Sequence, residues 1–291
     1  MNNLIIVLIQ RRKLYFEKEG FLMIDKNNAF KYLDLILNLK RNIAAARFIE
    51  FKHEYEELDL PEVKGSVCLL CRRGLEGTHL KADENHILCT YGAFALGISN
   101  PDITISSGQS YAACGLYSGK PVARSIVESI HYLDQEVKGI EIGHLSEVDN
   151  ADLVFVVCNT RQAMRIMQGY AYYYGAPKNI SFIGNQAMCG DIISKPFYNN
   201  DINITLFCKG ARKYGAFGED EIGISMPREM FYNVAHGVFM TINPVEFPKE
   251  KVAIAERLKE VGIEVEFDMK DSYGENLDVY DDMVKELRKK E

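Results

Sequence analysis

Three cysteines that lie within three residues of a glycine are the residues best placed to do chemistry. They are Cys89, Cys189 and Cys208, in the stretches CTYGAFALG (89–97), QAMCGD (186–191) and CKGARKY (208–214). Glycine lets backbone approach a ligand closely, and exposed backbone N–H groups stabilise a neighbouring thiolate. Three thiolates could hold an iron–sulfur cluster with one open iron, or a soft metal ion, with Cys68 or Cys71 as a fourth ligand. The alternative is that they are separately buried core thiols.

Four polar residues predict a site for a small anionic ligand. Asn159 follows an apolar run and begins a helix, and helix N-termini at strand ends attract anions. Gln162 lies on the same helix. Arg212 is expected to hold an anion near Cys208 and to pair with Asp191, which would complete a polar pocket. The alternatives are that Asn159 only caps its helix and that Arg212 is an ordinary surface cation.

Two of the cysteines are expected to share one pocket. The segments 179–183 and 202–207 are predicted strands that precede Cys189 and Cys208. If these strands lie in one sheet and point the same way, both thiols emerge at the same edge. We therefore predict a common pocket, in which both thiols are alkylated faster than that of Cys68.

The pair Cys68 and Cys71 has C-x-x-C spacing, yet the sequence lacks the second pair that a zinc site needs. The segment 66–71 is predicted to be a buried strand, in which residues three apart face opposite sides. The two thiols are therefore expected to be small buried hydrophobic groups. His79 and His86 belong to no recognised ligand pattern.

Hydrophobic periodicity predicts an α/β or α+β fold, with helices packed on a mixed sheet. Residues 152–158 are predicted to be a strand, 161–174 a helix capped by Asn159, and 179–183 a second strand. This β-α-β unit would make a right-handed parallel crossover. Residues 27–57 are predicted to be helical. Further helices are predicted at 120–133, 227–241 and 250–261, and further strands at 202–207, 221–225 and 263–267.

The predicted domain organisation has three parts. Residues 1–22 are attributed to a start codon placed too early, because the codons for residues 18–20 can form a ribosome-binding sequence ahead of Met23; the alternative is a genuine extension. The main domain is predicted at 23–243. The charged segment 244–291 is predicted to be a small appendage, with a charged tail as the alternative.

Composition limits the partners and the compartment. The 291 residues include 34 Lys+Arg and 41 Asp+Glu, a net charge of −7. Such a chain lacks the cationic surface with which proteins bind nucleic acid or anionic lipid. The apolar run at 4–9 is too short to cross a membrane. Seven cysteines, an odd number, argue against a disulfide framework and favour a reducing cytoplasm.

Four separated motifs carry a resemblance to a known family. The three cysteine stretches, together with NTRQAMR (159–165), resemble the domain of unknown function 169 family, also called the ArCR group. The resemblance runs from about Arg72 to Thr241 and excludes the charged segment after Pro244. It implies that these motifs belong together, and it supplies no reaction.

Three functions remain open at this point. The first is the binding of a small anionic or cofactor-like ligand at the Cys/Gly-rich motifs. The second is a metal- or iron–sulfur-dependent redox enzyme that uses Cys89, Cys189 and Cys208. The third is a protein-interaction module, in which the acidic segment after Pro244 meets a basic partner.

Overall fold

The fold is built on one six-stranded sheet, described in a computed structural model that covers residues 30–100, 102–130, 133 and 137–270. The strands lie in the order β2-β3-β1-β4-β6-β5. Every neighbouring pair is antiparallel. The strands are β1 (Ala44–Ile49), β2 (Leu80–Ala82), β3 (Gly139–His144), β4 (Leu153–Cys158), β5 (Asn203–Thr205) and β6 (Ile222–Pro227).

Helices make up most of the remaining described structure, which confirms the predicted class of helices packed on a sheet. A mixed sheet was expected, whereas the six strands pair only in the antiparallel sense. A 3-10 turn covers Phe30–Tyr32, and a π-helix covers Ala187–Ser194. The α-helices are α1 (Leu33–Leu37), α2 (Lys52–Glu57), α3 (Val67–Leu75), α4 (Thr90–Ala95), α5 (Ile103–Ser106), α6 (Gln109–Ala113), α7 (Lys120–Ser129), α8 (Thr160–Tyr174), α9 (Lys195–Asn199), α10 (Lys209–Gly215), α11 (Arg228–Met240), α12 (Ile242–Val245) and α13 (Pro248–Glu260).

The composition of the central strand β4 explains why it is buried on both faces. Its six residues are all apolar and all buried, as expected for a strand covered on both faces. It pairs with β6 from Leu153 opposite Pro227 to Cys158 opposite Ile222. The predicted strand at 152–158 is therefore confirmed.

One face of the sheet carries helices that line the cavity described below. Phe48 of β1 and Phe155 of β4 share a buried core with Leu70 of α3 and Ile192 of the π-helix. Gly74 lets α3 approach the sheet closely, because a Cβ atom there would lie 2.5 Å from Cγ2 of Ile142. These contacts fix α3 and the π-helix on the same side of the sheet.

The prediction of a strand at 66–71 is wrong, because this segment begins helix α3. Ser66 caps the helix, and its Oγ accepts a hydrogen bond from the backbone N–H of Leu69 at 3.3 Å. The buried residues of α3 recur with helical spacing: Val67, Leu70, Cys71, Gly74 and Leu75. A six-residue window was too short to distinguish this period from that of a buried strand.

The predicted strand at 179–183 is also wrong, and the β-α-β unit is not formed. The segment instead pairs with the side chain of Asn203 on β5. The N–H of Ser181 donates to Oδ1 of Asn203 at 3.0 Å, and Nδ2 of Asn203 donates to the carbonyl of Ser181 at 3.1 Å. An amide side chain thus takes the place of a backbone partner, so β4 is not followed by a parallel strand.

Two other predicted elements differ from the structure. Residues 44–49 lie inside the stretch predicted to be helical, and they form β1. The predicted strand at 263–267 has no regular structure. Just beyond it, Nζ of the fully buried Lys251 donates to the carbonyls of Asp268 at 2.5 Å and Lys270 at 2.8 Å. The predicted extension or misplaced start at 1–22 lies outside the described residues.

Contacts divide the chain into two compact units. One is Leu39–Val234, and the other combines the chain up to Asn38 with the chain from Ala235 onward. In the second unit, α13 packs against α1. A domain boundary between 243 and 244 stays a prediction. Within the described ranges, no helix combines the length and the apolar character needed to cross a bilayer.

Candidate functional site

A cavity of about 680 Å³ lies among the helices on the core face of the unit 39–234. Its wall is formed by α3, α4, α6, α10, the π-helix and the loops that precede them. Most of the lining is apolar or aromatic. Five of the seven cysteines line it, namely Cys68, Cys89, Cys114, Cys189 and Cys208.

Each cysteine is held by the end or the irregular turn of an element. Cys68 lies in the first turn of α3, and Cys89 is the N-cap of α4. Cys208 is the N-cap of α10, where its Sγ accepts a hydrogen bond from the N–H of Ala211 at 3.4 Å. Cys189 lies in the π-helix. π-helices are rare and often mark functional sites, because the extra residue per turn displaces side chains.

Burial keeps two of these thiols neutral. It raises the pKa of Cys68 to about 12, and the neighbouring Cys208 and Cys89 add to the effect. Burial also raises the pKa of Cys189 well above its ordinary value. At neutral pH both groups are therefore thiols, which are poor nucleophiles and poor metal ligands.

The structure places Cys189 and Cys208 on one cavity by a route different from the predicted one. Their carriers are a π-helix and a helix N-cap, whereas two parallel strands were expected. The expected high reactivity of Cys189 disagrees with its burial, since 5% of the residue is exposed. Cys189 thus lines the cavity without being accessible enough for rapid alkylation.

The predicted metal centre of Cys89, Cys189 and Cys208 is not preformed. Although all three residues line the cavity, the described part of the chain contains no group of three His, Cys, Asp or Glu side chains placed to hold a metal ion. The C-x-x-C pair does not add to such a group, because Cys71 faces the core with no exposure while Cys68 faces the cavity.

Aromatic and amide side chains form another part of the wall, and sequence reasoning had given them no role. The rings of Tyr91 and Tyr111 lie with their centroids 4.9 Å apart. Gln186 donates from Nε2 to the hydroxyl of Tyr111. Asn185 lies next to Gln186 and lines the same cavity. Tyr91 and Gln186 belong to the family motifs, and this is the signal that could have drawn attention to them.

Asp191 lies beside a second, small cavity of about 30 Å³, which Asn185 and Gln186 also line. Its Oδ2 accepts a hydrogen bond from Oγ1 of Thr205 at 2.8 Å. Burial raises the pKa of Asp191 to about 7, and the bond from Thr205 and the charge of Lys195 only partly offset this. Asp191 is therefore a carboxyl group that changes charge near neutral pH.

The predicted pairing of Arg212 with Asp191 is wrong. The guanidinium of Arg212 donates to the carbonyl of Leu206 at 3.0 Å and to that of Gly218. It therefore fixes the loops on either side of α10. Arg212 does not line the cysteine cavity.

Asn159 and Gln162 form a capping box at the start of α8. The N–H of Gln162 donates to Oδ1 of Asn159 at 2.9 Å, and the N–H of Asn159 donates to Oε1 of Gln162 at 2.8 Å. Neither residue lines the cysteine cavity. Their observed contacts are those of a helix cap, the alternative left open by the sequence.

The family model for the domain of unknown function 169, described as uncharacterised ArCR, matches residues 32–237. The chain belongs to this ArCR family. All five cavity cysteines lie within the matched ArCR residues. The cavity is thus part of the ArCR domain and lies outside the chain that follows it.

A similar protein is known from Methanocaldococcus jannaschii, where it is named an uncharacterised protein. It is 26% identical to this chain over 219 residues, which are 73% of this chain and 93% of the relative. No solved structure matches the chain.

Proposed function

We propose that the protein binds a small, cofactor-like organic ligand in the cysteine-lined cavity. The observation that carries this proposal is the cavity itself. Its volume of about 680 Å³ lies within the range of roughly 300–1,000 Å³ that ligand sites occupy. Such sites combine apolar and aromatic walls with a few polar groups, as this cavity does.

The ligand we propose has a mainly apolar body and at most one anionic group. The predicted anion contacts Asn159 and Arg212 do not line the cavity. Among the described lining residues, the cation is Lys64, which is exposed and lies at the rim. An anionic substituent on the ligand would therefore sit at the mouth, while its rings fill the interior.

We place the protein in the cytoplasm. All seven cysteines are free, and five thiols that face one cavity would be exposed to oxidation in a secreted protein. A reducing compartment keeps such thiols available for contact with a ligand.

A fluorescent probe tests the proposal. 1-Anilinonaphthalene-8-sulfonate has an apolar ring system and one anionic group, and its emission rises when it is buried. We expect saturable binding to the native protein, weakened at least about tenfold by Leu88→Trp, because an indole at this exposed rim position would obstruct the cavity.

The matched control is Val252→Trp, which adds the same indole at an exposed position that does not line the cavity. It should leave the dissociation constant unchanged. Equal binding by both variants and by the natural protein would overturn the proposal.

Redox use of the cavity thiols is a second candidate, favoured by the approach of cysteines from five separate elements to one cavity. Two thiols would give up two electrons and two protons to the oxidant diamide and form one disulfide. Peptide mapping should then find a bridge between two cavity cysteines. A bridge that involves Cys71, which faces the core, would contradict a native redox site.

A further inference from the structure

Two neighbouring amide side chains in the cavity wall have buried atoms that no described protein group satisfies. They are Nδ2 of Asn185 and Oε1 of Gln186. Gln186 is 5% exposed, and Asn185 is half-buried. A buried polar atom without a partner destabilises the fold, because it has lost its hydrogen bonds to water without replacement. Such atoms therefore need an explanation, and a missing ligand is one.

The backbone around these two side chains is unusual. Gln186 has φ 51° and ψ 44°, the left-handed conformation that non-glycine residues rarely adopt. The π-helix begins at the next residue. Local strain of this kind is retained where the surrounding structure uses it, often at a ligand site.

The hydrogen bond from Nε2 of Gln186 to the hydroxyl of Tyr111 sets the direction of the free oxygen. With one end of the amide fixed in this way, Oε1 remains as an acceptor. On the preceding residue, Nδ2 of Asn185 is an unpartnered donor. Both residues line the cysteine cavity as well as the small cavity next to Asp191.

A donor and an acceptor on consecutive wall residues are complemented by a group that carries an N–H and a C=O on adjacent atoms. Lactams and carboxamides have this arrangement. A carboxylate has no donor for Oε1 of Gln186, and an ammonium group has no acceptor for Nδ2 of Asn185. The rings of Tyr91 and Tyr111 supply an aromatic wall for a flat ring system.

We propose that the cavity takes a planar heteroaromatic ligand that presents a lactam or carboxamide edge to Asn185 and Gln186. This inference rests on the proposed binding function and specifies the chemical class of the ligand. The ligand's N–H donates to Oε1 of Gln186, and its carbonyl accepts from Nδ2 of Asn185.

Two probes that differ by one methyl group test the edge. Isoquinolin-1(2H)-one carries the lactam N–H, and its N-methyl derivative has lost this donor and keeps the ring system. Titration calorimetry with the full chain should show at least about tenfold tighter binding of the lactam, because the derivative leaves Oε1 of Gln186 buried and unpaired.

Substitutions in the wall test the two proposed hydrogen bonds separately. Asn185→Asp replaces the donor with an acceptor at constant size, and Gln186→Met keeps the length of the side chain without its amide. Gln186→Met should bind the two probes with dissociation constants within about twofold of each other. Asn185→Asp should instead weaken the binding of both probes by a similar factor of at least about tenfold, because both probes keep the carbonyl that accepts from Nδ2 of Asn185. The control Gln109→Glu alters an exposed amide that does not line the cavity and should keep the preference.

Failure of this inference and failure of the binding function have different signatures. If anilinonaphthalene sulfonate binds and Leu88→Trp blocks it, while the natural protein binds both isoquinolinones equally or neither, the lactam edge is wrong and the binding function stands. If the fluorescent probe itself does not bind, the binding function fails too. A preference that survives Gln186→Met, or unchanged binding of both probes by Asn185→Asp, would also overturn the assignment of the edge.

Discussion

Asp191 makes the stability of the protein depend on pH in a direction unusual for a carboxyl group. Burial raises its pKa from 3.8 to about 7 in the folded state. Between these pH values the folded protein holds a proton that the unfolded chain releases. The free energy of unfolding therefore decreases as pH rises from about 4 to about 7. The total decrease is up to about 4 kcal/mol.

Asp191→Asn removes the titration and keeps an acceptor for Thr205. We expect the variant to be more stable than the natural protein at pH 8 and similar to it at pH 4.5, in urea unfolding followed by tyrosine fluorescence. Asp220→Asn changes an exposed carboxyl group and should leave the pH profile unaltered. An unchanged profile in Asp191→Asn would contradict the assignment of the titrating group.

The cavity cysteines should differ in their rates of alkylation. Cys114 is exposed, whereas burial raises the pKa of Cys68 and of Cys189. Timed labelling of the native protein with iodoacetamide, mapped by peptide mass, should therefore modify Cys114 first and the other two much more slowly. In urea all three should react alike. Labelling of Cys189 as fast as Cys114 in the native protein would contradict its burial.

At the residue scale, the sequence identifies side chains that line the cavity. It does not show which of their atoms lack a hydrogen-bond partner or which groups have a shifted pKa. The glycine-flanked motifs pointed to Cys89, Cys189 and Cys208, and all three line the cavity. The unpaired atoms of Asn185 and Gln186 could not be foreseen, because a missing partner depends on everything that packs around the atom. The same holds for Asp191, whose pKa is set by burial.

At the scale of elements, the start of α8 separates a structural role from a binding role. Asn159→Ala removes the side-chain acceptor of the capping box, which should lower the free energy of unfolding by about 1 kcal/mol. Asn159→Ser keeps an acceptor and should restore most of the loss. Thermal unfolding checks both variants. The affinity for anilinonaphthalene sulfonate should stay constant in each variant. A large fall in this affinity would show that Asn159 contributes to ligand binding.

Elements with long, regular patterns were predictable, and short apolar runs were not. The sequence pattern predicted β4 and α8, because Asn159 marks a clear boundary between them. It follows the last residue of β4 and caps the start of α8. The segment 66–71 was mistaken for a strand because its helical period becomes visible only when the residues up to Leu75 are included. The segment 179–183 failed as a strand because its partner is the side chain of Asn203, a long-range contact that no local pattern encodes.

At the scale of the whole molecule, one side chain joins the two separate segments of the second unit. Nε of Arg257 donates to the carbonyl of Leu35 at 2.5 Å, and its NH2 group donates to that of Ile36 at 3.2 Å. These carbonyls lie at the C-terminal end of α1, where a cation is favourable. Arg257 therefore satisfies helix-end acceptors more than 200 positions away.

Arg257→Met keeps much of the apolar stem and removes these donors. We expect faster amide hydrogen exchange in residues 33–38, measured by mass spectrometry, because the end of α1 loses its partners. The cavity lies within the other unit, so the affinity for anilinonaphthalene sulfonate should not change. Unaltered exchange in 33–38 would mean that Arg257 does not stabilise α1.

The interleaving of the two units has a consequence during synthesis. A ribosome delivers the chain from its N-terminus, so the unit Leu39–Val234 can fold while the residues from Ala235 onward are still being translated. Leu33 and Ile36, which are buried in the finished protein, must wait for α13 to emerge. Until then, these two apolar side chains lack the helix that packs against α1 in the finished protein.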